Sequence, residues 1–234
     1  MNRFSQRSAQ SELIDNPDIP FKEWSLCLHE LNVINTRLGG HAITIRGIRS
    51  LIRPYKNEMT IAEIGCGGGD NLKAIHHWNK HAKLNIRYIG VDLNKACIDF
   101  ARLNCKELLN AHFIHADYRH VAFPEEKPDV IFSSLFCHHF KNDQLTEMLQ
   151  WLTLNTQKGF FINDLQRHPV AYYAIKLLTK VFSRSNLIKN DAPVSVLRGF
   201  HKNEWKQLLR KAGIKNYKLR WQWAFRYLII VKNE

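Results

Sequence analysis

The sequence predicts an α/β fold in which helices flank a doubly wound, mostly parallel sheet of seven strands. Short apolar segments alternate with helical ones along most of the chain, and a glycine-rich turn joins the first strand to a helix. Two alternating segments close the chain. Regular alternation of strands and helices is typical of parallel sheets, and the closing pair predicts an antiparallel hairpin.

Hydrophobic periodicity places the predicted elements along the chain. The predicted strands are residues 59–64, 84–93, 111–115, 128–134, 159–165, 217–221 and 225–231. Predicted helices start at Asp70, as a plausible N-cap, and at Asn142, and others span 94–109, 170–182 and 201–212. The stretch that follows the 170–182 helix, up to Leu197, is predicted to be irregular.

The N-terminal quarter of the chain is predicted to form an arm and a cap. Residues 21–38 show a helical apolar face that ends at Gly39 and Gly40, where a helix C-cap is expected. The helix precedes the first strand, so we expect it to cover the carboxyl edge of the sheet. Residues 1–20 are polar and are predicted to be a loosely held arm. We therefore divide the chain into an arm and helical cap, 1–53, and a main domain, 54–234, in one folding unit.

The composition indicates a cytoplasmic protein whose fold needs no disulfide bond or structural metal. The five cysteines are scattered and odd in number, without a C-x-x-C pair, which argues against a disulfide framework and a structural zinc site. No signal-peptide pattern is visible at the N-terminus. The longest apolar stretch, 169–182, contains two lysines and is shorter than the roughly 20 residues that span a bilayer.

The net charge of +13 is concentrated in the C-terminal third. Residues 168–234 hold fourteen Lys or Arg against three acids, whereas residues 1–167 are nearly balanced. Such an asymmetry fits nucleic acid, anionic lipid, an anionic substrate or simply a solvated lysine-rich surface. Charge alone leaves these alternatives open.

The turn after the first strand carries the strongest functional signal. Glu63 precedes Gly65, Gly67 and Gly69, and a dinucleotide-binding turn would need a third glycine where this chain has Asp70. An acid at Glu63 would repel a pyrophosphate but suits a cationic amino group. The E-x-G-x-G-x-G pattern resembles the first motif of class I S-adenosylmethionine-dependent methyltransferases, which have a Rossmann-like fold. An NAD-binding enzyme and a methyltransferase-like domain without activity are the alternatives.

Three further motifs follow in the order that this family shows. Asp92 ends the second predicted strand, where a doubly wound fold places its ribose-binding acid. Asp117, after Ala116, resembles the family's adenine-recognising acid. The turn 135–139 after the fourth strand resembles that of members that methylate small molecules. The segment 35–41 also resembles methyltransferases of polyketides and quinone-like phenols.

The resemblance implies S-adenosyl-L-methionine as cofactor and a set of residues that contact it. These predicted cofactor-binding residues are Glu63, Gly65, Cys66, Gly67, Gly69, Asp92, Leu93, Asp117, Tyr118 and Ser133.

Candidate catalytic groups lie where strands end, since ligands of open α/β sheets bind beyond the carboxyl ends of strands. His139, slightly favoured, or His138 is a suitable base for a phenol or enol oxygen near neutral pH, and both could instead only line the pocket. Asp164 ends the fifth strand and is the third catalytic candidate. Candidate substrate-binding residues are Arg167, His168 and Arg198. No metal site is predicted, because the paired histidines at 76–77 and 112/115 face apart.

The sequence therefore predicts methyl transfer to the O or C atom of a small acceptor, with an aromatic metabolite favoured. RNA methylation through the basic C-terminal third and a non-catalytic binding module are the alternatives. Nucleic acid is the less favoured partner, no transmembrane segment is expected, and peripheral membrane contact stays open. The acceptor and the oligomeric state are not predicted.

Overall fold

Seven strands form one sheet in the computed structural model, which describes residues 3–16, 18–52, 58–124 and 126–233. The strands are β1 (Met59–Ile64), β2 (Ile86–Asp92), β3 (Ala111–His115), β4 (Val130–Ser134), β5 (Gly159–Leu165), β6 (Tyr217–Gln222) and β7 (Arg226–Lys232). Their order across the sheet is β3-β2-β1-β4-β5-β7-β6.

The sheet has the predicted doubly wound topology. The strands β1 to β5 are parallel, and β7 pairs antiparallel with both β5 and β6. Strand order reverses between β1 and β4, which opens a crevice at their carboxyl ends. The predicted fold class, with its closing hairpin, is confirmed.

Eight α-helices lie among the described residues. They are α1 (Phe21–Arg37), α2 (Gly40–Leu51), α3 (Asp70–Ala82), α4 (Lys95–Asn104), α5 (Asn142–Asn155), α6 (Pro169–Phe182), α7 (Asn186–Arg198) and α8 (Lys202–Lys211). Short 3₁₀ turns occur at Leu13–Asp15, Tyr118–His120 and Cys137–His139.

Helices bury the sheet from both faces. On one face, α5 and α8 contribute residues such as Leu149 and Trp205, which pack with Phe160 of β5. On the other face, α2 and α3 pack against β4 and β5, where the rings of Phe132 and Phe161 stack at 4.9 Å. Burial on both faces explains why the central strands read as nearly continuous apolar runs.

Two helices were not predicted from the sequence. Gly39 adopts a left-handed φ of 75° and ends α1 as expected, but the chain then turns directly into α2. The segment predicted to be irregular contains α7, although Pro193 lies inside it. Leu187, Ile188 and Val194 are buried along α7, so tertiary packing outweighs the cost of the proline.

The structure also corrects details at element ends. The N-cap of α3 is Gly69, with φ of 76°, and Asp70 is the first helical residue. Helix α4 ends at Asn104 rather than at residue 109. The predicted domain boundary between residues 53 and 54 lies outside the described residues, and the division of the chain stays a prediction.

The N-terminal arm is not loosely held, contrary to the prediction. Arg7 donates to the carbonyls of His138, Phe140 and Arg198 at 2.8–3.0 Å, and its guanidinium lies over the ring of Phe200. The backbone N–H groups of Leu13 and Ile14 donate to Asp191 of α7. The arm is therefore bound across the carboxyl edge of the sheet.

Candidate active site

The glycine turn after β1 brings backbone to the wall of a large cavity. Gly65, Gly67 and Gly69 all have positive φ, which L side chains adopt at a cost. A side chain on Gly65 would collide with Phe136, whereas the nearest atom to a Cβ on Gly67 is a methyl of Leu28, 3.6 Å away. Gly67 is thus the position where the backbone leaves room for a ligand.

Glu63 lies beside this turn as a buried acid with an incomplete set of partners. Its side chain is only 1% exposed, and Oε1 accepts from Asn71 at 2.8 Å. Oε2 has no hydrogen-bond partner among the described residues. Burial, with some contribution from Asp70 and Asp92, raises the pKa of Glu63 well above its ordinary value of 4.5. A cationic ligand group would supply the missing partner.

Asp92 connects the turn to the end of β2. Its carboxylate accepts from the N–H of Gly67 and from that of Asn94, both at 2.9 Å. Burial raises the pKa of Asp92, although these two hydrogen bonds oppose the shift. The acid therefore holds the glycine turn in place and keeps lone pairs for a further donor.

A second, smaller cavity of about 80 Å³ adjoins the glycine turn. Five of the predicted cofactor-binding residues line it, namely Gly65, Asp92, Leu93, Asp117 and Tyr118. Asp117 accepts from the backbone N–H and guanidinium of Arg119, whose hydrogen bonds and charge lower the pKa of Asp117. An adenine amine at this position would share the carboxylate with Arg119.

Ser133 lies away from both cavities. Its hydroxyl is 3.5 Å from the Cys137 sulfur in the core, and Ser134 lines the large cavity instead. Neighbouring residues of a strand point to opposite faces, so the predicted contact moves by one position. Cys66 does line the large cavity, and burial raises the pKa of its thiol strongly.

The large cavity has a volume of about 450 Å³, within the range of small-molecule sites. Its walls come from α1, α6, α7, the glycine turn and the β6–β7 hairpin, and aliphatic and aromatic side chains predominate. Among those apolar side chains are Leu28, Leu31, Ile34, Leu38, Ile175, Leu178, Trp221, Trp223 and Phe225. The fold therefore offers a mostly apolar chamber directly beside the glycine turn.

Polar groups converge on this chamber at the turn after β4. His138 is buried, and its Nδ1 is 2.8 Å from Asp164, whose carboxylate also accepts from the N–H of Leu165. Burial raises the pKa of Asp164, but the charge and hydrogen bond of His138 outweigh this, so the net shift is downward. The ionised acid fixes the ring proton on Nδ1 and leaves Nε2 of His138 as the acceptor.

Glu12, from the N-terminal arm, lies opposite both histidines. Its oxygens are 3.6 Å from Nε2 of His138 and 3.9 Å from Nε2 of His139. Burial raises the pKa of Glu12, against the opposing effects of His139, Ser195 and Arg198. Sequence reasoning missed Glu12, because nothing in a polar arm indicates that one acid returns to the sheet edge.

Arg198 positions the histidine turn rather than lining the cavity. It donates to the carbonyls of His138 and His139 at 3.1 and 2.8 Å, and Nε lies 3.8 Å from Glu12. These contacts hold the turn in place, and the substrate contact of Arg198 stays a prediction. Arg198 ends α7, an element that the sequence reading did not contain.

Arg167 and His168 also serve the architecture. Arg167 is fully buried, pairs with Glu204 at 2.7 Å and donates to the carbonyls of Phe4 and Gly199. His168 is the N-cap of α6, accepting from the N–H of Val170, and stacks on Phe225. Neither lines the cavity, so the structure does not support the substrate roles predicted for them.

Comparisons with known proteins agree with this geometry. A model of the methyltransferase domain family matches residues 61–159, from β1 to the start of β5. This part of the chain therefore matches the family predicted from the sequence, and the match supports the predicted enzyme class and the predicted cofactor, S-adenosylmethionine. No curated protein matches the chain.

Solved structures resemble this chain in fold, at low identity. A putative O-methyltransferase from Nostoc punctiforme has a TM-score of 0.60 at 12% identity, over 90% of this chain and 60% of its own length. Human N-acetylserotonin methyltransferase, solved with S-adenosylmethionine, gives 0.63 at 14%, over 92% and 56%. Magnesium protoporphyrin IX methyltransferase from Synechocystis gives 0.56 at 11%, over 86% and 82%.

The part of the chain that the structure describes also contains one candidate metal-ligand set, which sequence reasoning missed. The ligand atoms of Glu12, His138 and His139 lie within 4.8 Å of one another. The guanidinium of Arg198 already lies beside Glu12, and its positive charge opposes a cation at this place. The prediction of no metal therefore remains a prediction.

Within the described residues, no helix has the length and apolar character needed to cross a bilayer.

Proposed function

We propose that this methyltransferase transfers a methyl group from S-adenosylmethionine to an oxygen or carbon atom of a small acceptor, with an aromatic metabolite favoured. The observation that carries the proposal is the buried Glu63 carboxylate with an unpartnered oxygen, next to the open backbone at Gly67. The cofactor's amino-acid tail carries an ammonium group, which would donate to Glu63. The open backbone at Gly67 would leave room for this tail. When bound, the cofactor supplies an electrophilic methyl group.

The proton-accepting group in this proposal is His138, held by Asp164. Sequence position alone favours His139, but His138 has a hydrogen bond from Nδ1 to a carboxylate, which sets its tautomer. A base oriented by a third group is the usual arrangement for activating an oxygen nucleophile. His138 would accept the acceptor's proton at Nε2, and Asp164 would stabilise the resulting imidazolium.

The shape and lining of the chamber support a small acceptor. A mostly apolar volume of about 450 Å³ suits an aromatic ring more than a polynucleotide strand. Methyl transfer needs alignment above all, and packing of the acceptor against the aliphatic and aromatic walls would supply it.

Labelled S-adenosylmethionine incubated with the protein and fractionated cell extract tests the proposal. We expect label to enter a low-molecular-mass fraction and to do so equally after nuclease treatment. Label that appears only in RNA, and disappears with nuclease, would favour the basic C-terminal third as an RNA-binding surface. No label in any fraction, despite cofactor binding, would favour a non-catalytic module.

A further inference from the structure

Arg226 is a buried cation that has no acidic partner within ion-pair distance in the described part of the chain. It begins β7, is 3% exposed and lines the large cavity. Nη2 donates to Asn35 of α1 at 2.7 Å, but neither Nε nor Nη1 has a hydrogen-bond partner among the described residues. Burial lowers the pKa of Arg226 to about 10, with Asp164 opposing. An uncompensated buried charge is costly, so the site favours a ligand that brings negative charge.

Helix α2 connects Arg226 to the acid in the glycine-turn region. The guanidinium packs on Gly40, where an added Cβ would lie 3.0 Å from Nη1. One helical turn later, Thr44 donates to Asn71, which in turn donates to Glu63. Glu63 and Arg226 therefore line the same cavity and carry opposite charges. They lie near opposite ends of one turn of α2.

We propose that Arg226 is an oxyanion-binding residue of the cavity and that it holds the carboxylate of the cofactor's amino-acid tail. The inference rests on the proposed function, because Glu63 would hold the ammonium of the same zwitterion. A planar guanidinium with free N–H groups matches a carboxylate in charge and geometry. An acceptor oxyanion, such as a phenolate or aromatic carboxylate, has the same chemistry and is the other source.

Calorimetry of Arg226→Met distinguishes these sources. The probes are S-adenosylhomocysteine, its decarboxylated analogue, which keeps the ammonium, and benzoate added to protein saturated with S-adenosylhomocysteine. If Arg226 holds the cofactor carboxylate, we expect Arg226→Met to lower the affinity for S-adenosylhomocysteine about tenfold or more and to leave the affinity for the decarboxylated analogue unchanged. A lower affinity for benzoate alone would support the oxyanion site but assign it to the acceptor.

The control is Arg220→Met, which removes the same charge from an exposed position on the neighbouring strand. If Arg226→Met does not fold, Arg226→Lys keeps the charge without the planar fork and is expected to weaken binding less. Unchanged affinity for all three probes would overturn the inference. Failure of the unaltered protein to bind S-adenosylhomocysteine would instead contradict the proposed function.

A second inference comes from the outer surface of α6. Six of its apolar side chains are exposed and recur at helical spacing along one side, which we call the apolar α6 face. They are Val170, Tyr173, Leu177, Leu178, Val181 and Phe182. The exposed Trp223 joins Leu178 in lining the large cavity, so the apolar face continues to the cavity wall.

The charge around this face indicates what covers it. No Asp or Glu occurs between Asp164 and Asp191, whereas Lys176, Lys180 and Arg184 are exposed on or just after α6. A second copy of the chain docked here would bring the same cations together. A polynucleotide would complement the charge but has no use for an apolar stripe. We infer that the apolar α6 face docks on an anionic lipid surface.

Flotation with phosphatidylcholine vesicles, with and without phosphatidylglycerol, tests this inference. We expect binding to the anionic vesicles, its loss in the double variant Leu177→Asp/Val181→Asp, and a reduction in Lys176→Gln/Lys180→Gln. The matched control is Leu109→Asp/Leu154→Asp, which alters two exposed leucines outside α6. S-adenosylhomocysteine binding serves as the check on folding.

Two results would overturn the inference. One is that the α6 variants and the control variant bind anionic vesicles to the same extent, which includes the case in which none of them binds. The other is light scattering that shows a dimer for the unaltered protein and a monomer for Leu177→Asp/Val181→Asp. That result would mean that a second copy of the chain covers the apolar α6 face.

Discussion

His138 donates from Nδ1 to the carboxylate of Asp164 across 2.8 Å, although His138 lies in the turn after β4 and Asp164 lies near the end of β5. Both are almost completely shielded from solvent. The contact exists because β4 and β5 are adjacent and parallel, so their carboxyl ends meet at one edge. It gives one of the two neighbouring histidines a fixed tautomer.

Removing this contact is expected to lower catalysis while leaving cofactor binding intact. Asp164→Asn should reduce kcat by about a hundredfold or more, the usual contribution of a positioned general base. The amide no longer fixes the ring proton on Nδ1, so Nε2 of His138 is less often the free acceptor. The acceptor identified by labelling is the substrate for this measurement.

His139→Gln is the comparison for that experiment, since the sequence alone favoured His139. We expect a smaller loss of kcat than in Asp164→Asn. A large loss in His139→Gln beside an unaffected Asp164→Asn would exchange the roles of the two histidines.

Glu63 gives the ligand-free protein a characteristic pH dependence. Its pKa is raised on folding, so the folded state binds the proton more tightly than the unfolded state. The resulting stability is complete below the ordinary pKa of 4.5 and falls as pH rises towards the folded pKa. Glu63→Gln should therefore unfold at a higher temperature than the unaltered protein at alkaline pH, and the difference should shrink on acidification.

The same variant should lose affinity for S-adenosylhomocysteine, because a neutral amide is a poor partner for an ammonium. Thermal unfolding across pH and calorimetry check the two effects separately. Glu147→Gln, at an exposed position on α5, is the control. A Glu63→Gln protein that binds as tightly as the unaltered one would remove Glu63 from the cofactor site.

Local sequence patterns were sufficient for the sheet and the glycine turn. Positive φ at Gly65, Gly67 and Gly69 follows from residue type, and β5 spans the predicted residues. Side-chain roles that depend on distant contacts were not accessible. Glu12 and Arg226 reach the cavity only through the packing of the arm and of the terminal hairpin.

The same limit explains the residues whose roles changed. Arg167 and Arg198 lie at the carboxyl edge of the sheet, as a substrate-binding cation would. The guanidinium group of each, however, donates to backbone carbonyls. Sequence position shows that a residue lies near a site, and only the hydrogen-bond partners decide whether it remains available to a ligand. Helix α7 was not predicted for a related reason, because tertiary packing of its buried residues stabilises it.

The two strand-end acids should contribute to cofactor affinity to different degrees. Asp92→Ala removes a charged acceptor and releases the N–H of Gly67, so we expect affinity to fall roughly ten- to a hundredfold. Asp117→Ala should have a smaller effect, because Arg119 already occupies much of that carboxylate. Calorimetry with S-adenosylhomocysteine measures both, with Asp99→Ala as the control. Unchanged affinity in both variants would contradict the assigned cofactor path.

Chelation distinguishes a base at the histidine turn from a metal centre. The guanidinium of Arg198 lies 3.8 Å from Glu12, and like charges at about 4 Å repel by about 4 kcal/mol at an effective dielectric constant of about 20. Activity should therefore survive exhaustive dialysis against a chelator. Loss of activity that a divalent cation restores, and that Glu12→Gln mimics, would establish a metal at Glu12, His138 and His139.

Titration calorimetry of a matched pair of variants measures whether the glycine turn binds the cofactor. Gly67→Val places a side chain in the open space beside Leu28, whereas Gly213→Val has a comparable positive φ with nothing within 4 Å. We expect the unaltered protein and Gly213→Val to bind S-adenosylhomocysteine but not NAD, and folded Gly67→Val to bind neither. Binding of NAD without S-adenosylhomocysteine, or full affinity in Gly67→Val, would contradict the account.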